Sequence, residues 1–301
     1  MTILGLRWLV LLALTLCIVL PAAAAINLTV WLSDDTPPYQ EFAQRLRREL
    51  QARAVHLEIQ TGGAGSAQAE LVVAVGLRAT EQALRLNPSL PVLAVLLPRA
   101  TYLQLRRSSG AQPFSAIFLD QPPARRFALI AEAFPYRKRV GAVLGPESAA
   151  ELRSLQAAAR ERGLQLVSER IDDADALLPA LNRVLSEADV LLAVPDPLVF
   201  NRNTAQGILL TSYRAQKPVV GYSQAYVNAG ALLAVYSTPA QIARQTAELI
   251  TALPSPSALP QPQYPRYFSV AVNAQVARSL GIPLEPERVL WEKLSKAGGE
   301  E

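Results

Sequence analysis

Residues 139–168, RVGAVLGPESAAELRSLQAAARERGLQLVS, decide the fold class of this chain. They begin with a β-branched apolar run, RVGAVL, followed by the turn GPE and then by apolar residues at helical spacing. Ser148 and Glu151 have the spacing of a capping box, in which both side chains satisfy free backbone N–H groups at the start of a helix. Gly163 is typical of a helix end, and the apolar run LQLVS follows it. The stretch therefore predicts a strand–helix–strand unit with parallel strands.

The same alternation continues along the rest of the chain. The predicted strands are 27–32, 55–59, 70–75, 92–97, 115–119, 139–144, 164–168, 190–194, 218–221, 231–236 and 268–272. We expect helix caps at Asp35, at Thr238 with Gln241, and at Asn273. The proline-rich residues 254–265 predict a stiff, extended connector. Short strands that alternate with amphipathic helices predict an α/β fold with parallel sheets.

The first 25 residues have the features of a secretory signal peptide. Arg7 gives a positive start, an apolar run follows as far as Leu20, and the four alanines 22–25 offer a cleavage site. The alternative is an uncleaved anchor, but the apolar run is short for a membrane span. Cys17, the only cysteine, lies inside this segment, so the mature chain has neither disulfides nor thiolate chemistry.

The length and net charge of the chain after the predicted signal peptide limit its possible domain number and partners. About 275 residues, half of them apolar, suit two domains of ordinary size. The formal charge is +4, which in a cytosolic protein would raise nucleic acid as a partner. An exported chain meets none, and arginines such as Arg45, Arg47 and Arg48 lie on a predicted helix as solvated charges. We therefore expect no nucleic-acid partner.

A series of moderate motifs in the second half resembles a known family. The motifs are LLAVPD at 191–196, KPVVG at 217–221, AGALLA at 229–234, ARQTAE at 243–248, VAVN at 270–273 and LGIP at 280–283. Residues 71–79 and 139–164 continue the pattern toward the N-terminus. In this order they resemble the solute-binding proteins of ABC transporters with the type I periplasmic binding fold, a group that includes tryptophan and tyrosine binders.

The resemblance implies two Rossmann-like lobes with parallel sheets, joined by a hinge that the chain crosses three times. We place the crossings near Gln121, Tyr236 and Arg266. Lobe one would then comprise 26–121 plus 237–265, and lobe two would comprise 122–236 plus 266–301. A ligand would bind in the cleft between the lobes.

The chain departs from the family pattern in lobe one. Only Thr61–Ala69 separates the second and third predicted strands, where the family has a full helix. Leu97-Pro98-Arg99 stands where an Asp-Pro is expected, and QPFSAI at 112–117 replaces a Gly-Asn-Thr-Gly-like stretch. We therefore expect an altered cleft wall on this side.

Candidate ligand contacts lie at the carboxyl ends of the predicted strands, where open α/β sheets bind ligands. A carboxylate there would attract a ligand ammonium group or would cap a helix instead. Aromatic rings there would stack on a flat ligand or pack against loops. Backbone N–H groups after Gly145 could hold a carboxylate. The candidate ligand-binding residues are Ser33, Asp34, Tyr39, Gly76, Asp120, Gly145, Ser148, Asp196, Phe200, Tyr222 and Ser223.

The sequence offers few residues that could carry out catalysis or bind a metal. His56 is the only histidine, so zinc sites and Ser-His or Cys-His arrangements lack their residues. The glycine-rich stretch 61–65 has no lysine and predicts a loose loop rather than a phosphate site. Paired carboxylates, as in glycosidases, stay open as an alternative. We expect no enzyme activity, no cofactor and no metal.

The resemblance implies a periplasmic solute-binding component of an ABC-type uptake system. It would bind a small ligand, aromatic or amino-acid-like, by closing two lobes, and would then dock on an inner-membrane ABC permease as a monomer. The alternative is a degenerate binding fold that acts as a periplasmic sensor or interaction partner.

Overall fold

The computed structural model describes residues 26–53, 55–62, 68–86 and 88–297. The predicted signal peptide lies outside these residues. Within them, no helix is both long enough and apolar enough to cross a membrane.

The first sheet is parallel throughout. Its strands are β1 Ile26–Leu32, β2 Val55–Thr61, β3 Leu71–Val75, β4 Val92–Leu97 and β5 Phe114–Phe118. They lie in the order β2-β1-β3-β4-β5. The helices in this half are α1 Pro37–Leu50, α2 Leu77–Leu86 and α3 Arg99–Ser108. Every residue of β3 and β4 is buried, as their unbroken apolar runs require when helices cover both faces of a sheet.

The second sheet follows along the chain. Its strands are β6 Arg139–Leu144, β7 Gln165–Arg170, β8 Val190–Leu192, β9 Val219–Gly221, β10 Leu233–Tyr236 and β11 Ser269–Val272. The intervening helices are α4 Pro123–Ala133, α5 Leu152–Glu161, α6 Leu177–Glu187, α7 Ala205–Arg214 and α8 Gln224–Asn228. Helices α9 Pro239–Thr251, α10 Ala274–Ser279 and α11 Glu287–Ala297 complete the chain.

The strand order in this sheet is β11-β10-β9-β8-β6-β7. All pairs are parallel except β10 with β11. The prediction of two α/β lobes is confirmed, and the antiparallel edge strand is the one departure from a purely parallel sheet. The helix between β10 and β11, α9, packs on the first sheet and is followed by an extended connector, so no crossover helix on the second sheet requires β11 to run parallel to β10.

The chain passes between the two sheets three times. It leaves the first sheet after β5, and it returns after β10, because α9 buries Ile242, Ala243 and Ile250 in the core of the first sheet. Gln263 then forms a parallel bridge with Ile117 of β5 before the chain re-enters the second sheet at β11.

A buried hydrogen-bond network ties the three crossings together. Gln121 on the first crossing donates to the Ser237 hydroxyl on the second, at 2.8 Å. Ser237 donates to the Tyr267 carbonyl on the third, at 2.6 Å. Arg125 donates both to the Gln121 side chain, at 2.7 Å, and to the Pro265 carbonyl, at 2.8 Å. The lobes are therefore joined by hydrogen bonds between crossing segments as well as by the chain itself.

The helix that follows β6 begins differently from the prediction. Residues Ser148–Glu151 form a 3₁₀ turn, and the side chain of its N-cap residue, Glu147, makes no cap hydrogen bond. The Ser148 hydroxyl accepts from the Gly145 N–H at 3.0 Å, and Glu151 pairs with Arg126 at 2.7 Å. The capping box is therefore wrong at this position, because a buried guanidinium draws the Glu151 carboxylate away. Gly163 does end the helix, with φ of +64°.

The other predicted caps have mixed outcomes. The capping box of Thr238 with Gln241 is confirmed, and Asn273 accepts from two N–H groups at the start of α10. The Asp35 cap is wrong, because Thr36 occupies the cap position of α1. The Asp35 carboxylate accepts instead from the side chains of Gln40 and Thr61.

The short connection between β2 and β3 spans residues 62–70. Its described residues, 62 and 68–70, are not helical, and residues 63–67 lie outside the described part of the chain. His56 lies exposed on β2, the edge strand of the first sheet.

Candidate functional site

A cavity of about 160 Å³ lies between the carboxyl ends of the two sheets. Both halves of the chain and the crossings contribute to its wall. The lining residues are Pro98, Leu119, Asp120, Gln121, Arg126, Pro195, Tyr222, Ser223, Val235, Tyr236 and Ser237. Three of the predicted contacts, Asp120, Tyr222 and Ser223, are among them. The cavity has the location that open α/β folds use for ligands.

Asp120 follows β5 and presents a carboxylate to this cavity. The carboxylate accepts a hydrogen bond from the Arg99 backbone N–H. No ion pair with a side-chain cation engages it among the described residues. Burial raises the pKa of Asp120 above its usual value of 3.8, and the neighbouring charge of Glu151 adds to that increase. The Arg99 hydrogen bond and the Arg126 charge act in the opposite direction but do not outweigh burial, so the surrounding protein compensates the charge of Asp120 only in part.

Arg126 supplies a guanidinium to the same wall, but this cation already has a partner. Its Nη2 lies 2.7 Å from the Glu151 carboxylate, and the two side chains are only 5% and 7% exposed. Its Nε is buried and has no hydrogen-bond partner among the residues that the structure describes. The charges of Arg126 and Glu151 cancel, so the net charge at the cavity is that of Asp120.

Tyr222 presents an aromatic ring at the carboxyl end of β9. It stacks on Tyr226, with ring centroids 5.2 Å apart and planes inclined by 20°. Phe200 meets both tyrosines edge-on. Tyr226 and Phe200 are buried, and they hold Tyr222, which stays partly accessible. Burial raises the pKa of Tyr222, so its hydroxyl stays protonated as a donor.

Ser223 caps the short helix α8 beside Tyr222. Its hydroxyl accepts from the Tyr226 N–H at 3.1 Å. The cap therefore fixes the backbone at the carboxyl end of β9, which orients the neighbouring ring.

Gly145, Ser148 and Asp196 form one buried cluster that does not line the cavity. The Asp196 carboxylate accepts from the N–H of Glu147 at 3.1 Å, and from the N–H and hydroxyl of Ser148 at 2.8 and 2.9 Å. Its other oxygen accepts from Leu198 at 2.9 Å. The N–H groups predicted to hold a ligand carboxylate thus hold the protein's own. A Cβ at Gly145 would collide with Asp196, so only glycine permits this approach.

The lobe-one candidates form a separate cluster. Ser33 donates to the Val75 carbonyl at 2.7 Å and accepts from the Ala79 N–H at 2.9 Å. A Cβ at Gly76, which has φ of +82°, would collide with the Tyr39 hydroxyl. This cluster lies at the carboxyl ends of β1 and β3 and does not line the cavity.

Asp34, next to Ser33, is engaged on the surface of the same lobe. Its carboxylate accepts from the N–H and hydroxyl of Thr36 and from Arg78 at 2.8 Å. The Thr36 hydrogen bonds lower the pKa of Asp34, and Arg78 adds to the effect.

Sequence reasoning missed most of the crossing residues in the wall. The predicted crossings lie near Gln121 and Tyr236. Because hinge segments border the cleft in a two-lobed fold, the predicted crossings could have indicated that Gln121, Tyr236 and Ser237 line the site. Arg126 gave no signal, because it lies within an amphipathic helix. In the described part of the chain, no group of three His, Cys, Asp or Glu side chains is arranged to hold a metal ion.

Solved structures with the same fold have little sequence in common with this chain. A conserved domain protein from Vibrio cholerae superimposes with a TM-score of 0.61 at 20% identity, covering 89% of this chain and 98% of that one. A Streptococcus pneumoniae ABC domain in complex with L-Trp has a TM-score of 0.61 at 16% identity, with the same coverage. No curated protein matches the sequence.

The ligand-free, open form of a substrate-binding protein with adhesive properties from Clostridium difficile has a TM-score of 0.66 at 14% identity. The superposition covers 87% of this chain and 96% of the Clostridium difficile chain. These likenesses establish the type I periplasmic binding fold. A family profile described as ABC transporter substrate binding protein matches residues 120–295, from the cavity aspartate to α11. That match spans more than half of the sequence, and we conclude that the chain belongs to the family of ABC transporter substrate binding proteins.

Proposed function

We propose that this protein is the periplasmic solute-binding component of an ABC-type uptake system, and that its ligand binds between Asp120 and Tyr222. The observation that carries the proposal is the cavity between the two sheets, which holds the Asp120 carboxylate, a group that forms no ion pair with any described residue. Buried charges are normally paired, so this carboxylate favours a ligand that brings the missing cation.

The cavity wall supports a ligand with a cationic nitrogen and a flat or apolar body. The nitrogen would pair with Asp120, because Arg126 and Glu151 neutralise each other. The body would lie against the Tyr222 ring and the apolar side chain of Leu119, which is 42% exposed. A small amine, amino-acid-like or aromatic, satisfies both requirements.

The remaining parts of the proposal concern processing and partners. We propose residues 1–25 as a signal peptide, lobe one as 26–121 plus 237–265, and lobe two as 122–236 plus 266–301. The packing of α9 against the first sheet supports this division. A monomer would close around its ligand at the crossings and dock on an inner-membrane permease.

The test is mass spectrometry of small molecules released from the purified, denatured protein. A nitrogen-bearing cation at near-stoichiometric amount supports the proposal. Adding it back at about 100-fold excess over Kd should stabilise the protein by about 2.7 kcal/mol. Asp120→Asn should abolish that stabilisation, whereas Asp172→Asn, in an exposed ion pair with Arg170, should preserve it.

Two outcomes would redirect the proposal. A neutral or anionic ligand that binds Asp120→Asn as tightly as the wild type would refute the role of this carboxylate. If a broad panel of solutes causes no thermal shift, the periplasmic sensor or interaction partner becomes the better function.

A further inference from the structure

A second concavity, of about 800 Å³, lies outside the cleft where α4, α9, β11 and α11 meet. We call it the arginine groove. It shares no lining residue with the cleft cavity. Its wall includes Arg125, Arg244, Arg266, Arg288, Phe268 and Trp291. Guanidinium groups beside aromatic rings form a surface suited to anions with an apolar part.

Three of these guanidinium groups have carboxylate partners. Arg244 and Arg266 share Glu248, at 3.1 and 3.2 Å. Arg288 pairs with Glu292.

The fourth cation, Arg125, has no carboxylate partner among the described residues. Glu287, which also lines the groove, accepts from the Val272 N–H instead of from an arginine. These four guanidinium groups and three carboxylates leave one net positive charge at the groove, and within the described part of the chain Arg125 is the guanidinium of the four that forms no ion pair.

The Arg125 guanidinium is fixed in place on one side. Its centre lies 4.3 Å from the centroid of the Phe268 ring, and one nitrogen, Nη1, donates to both Gln121 and Pro265. Its Nη2 and Nε make no hydrogen bond within the described part of the chain. Burial lowers the pKa of Arg125 to about 10, so the group is still charged at neutral pH. A carboxylate can therefore accept from two unused donors.

Trp291 forms an apolar wall of the same groove. Its Nε1 donates to the Phe268 carbonyl at 3.1 Å, which fixes the ring, and the residue is 43% exposed. We propose that the arginine groove is a second binding site, for a small organic carboxylate whose charged group meets Arg125 and whose apolar part lies on Trp291.

The experiment follows Trp291 fluorescence in the intact protein during titration with benzoate. The sequence has two other tryptophans. Trp8 lies in the proposed signal peptide, and Trp31, in the first sheet, is 1% exposed, so a ligand in the groove cannot reach it. Benzylamine, with a similar size and the opposite charge, is the matched control ligand. We expect a saturable fluorescence change with benzoate and none with benzylamine.

Variants locate the site. Arg125→Gln should weaken benzoate binding at least about tenfold, which is about 1.4 kcal/mol. Arg170→Gln, at an exposed ion pair elsewhere, should not change it, and neither should Asp120→Asn in the cleft. Trp291→Ala, followed by calorimetry, gives a second test should Arg125→Gln fail to fold, and it should also weaken binding.

The proposal is overturned if no saturable response to benzoate appears, if benzylamine acts as well as benzoate, or if binding is unchanged in both groove variants. Because Asp120→Asn removes only the proposed cleft function, a failure at the groove is distinguishable from a failure at the cleft.

Discussion

Replacing Glu151 by glutamine should destabilise the protein far more than the loss of an ordinary ion pair. The carboxylate lies 2.7 Å from the Arg126 guanidinium, and both side chains are nearly inaccessible to water. At that distance the attraction is about 6 kcal/mol for an effective dielectric constant of about 20. Desolvation opposes much of it, but removing one partner leaves the other charge buried. We expect a loss of about 3–5 kcal/mol in the free energy of unfolding.

The assay is urea unfolding, supported by thermal melting, where this loss corresponds to roughly 10 °C. Glu169→Gln is the matched control, because Glu169 pairs with Arg183 in an ion pair with much greater exposure. Its melting temperature should stay close to that of the wild type. The double replacement Arg126→Met with Glu151→Leu should recover most of the lost stability, since it removes both buried charges.

A loss below about 1 kcal/mol for Glu151→Gln would refute this reasoning, because that is the value of a solvent-exposed pair. Failure of the double replacement to recover stability would show that the hydrogen-bond geometry matters more than the balance of charges.

Three further predictions address the two sheets and the cleft. Gly145→Ala should destabilise by about 1–3 kcal/mol in urea unfolding, because its Cβ would collide with Asp196, whereas Gly207→Ala has open space and should not destabilise. Thr238→Ala removes a formed cap and should cost about 1 kcal/mol by the same assay; no change would contradict the cap. Asp120 has a raised pKa, so the folded state holds its proton more tightly than the unfolded state. Its stabilising contribution is present below the ordinary 3.8 and is lost as pH rises through the folded pKa. Asp120→Asn should therefore be more stable than the wild type at pH 7, by a margin that shrinks on acidification, and a constant margin would disprove it.

Local patterns in the sequence were sufficient for the strands and for their alternation with helices, but they did not predict the helices Gln224–Asn228 and Glu287–Ala297. Burial on both faces of β3 and β4 requires unbroken apolar runs, and those runs are visible in the chain. The cap at Thr238 uses neighbours within three residues, so it too could be predicted. The order of the motifs from 191 to 283 was sufficient for the family.

The partners of polar and charged side chains could not be predicted from local patterns. Ser148 and Glu151 have the spacing of a capping box, yet they do not bond to each other's backbone. Glu151 pairs with Arg126, and the Ser148 hydroxyl accepts from the Gly145 N–H and donates to Asp196. Asp196 stands at a strand end, as a ligand contact would, but four hydrogen bonds within the protein use its oxygens. Spacing describes which bonds are possible, and tertiary packing selects among them.

The sequence by itself determined the α/β class and the positions of the strand ends, because these depend on the period of apolar residues and on local turns, and its resemblance to a known family implied the two lobes. Only the tertiary structure decided which strand-end residues face the cavity, and that Arg126 and Glu151 neutralise each other beside Asp120. The physical reason is that a buried charge responds to every neighbour within a few ångströms, whatever its distance along the chain.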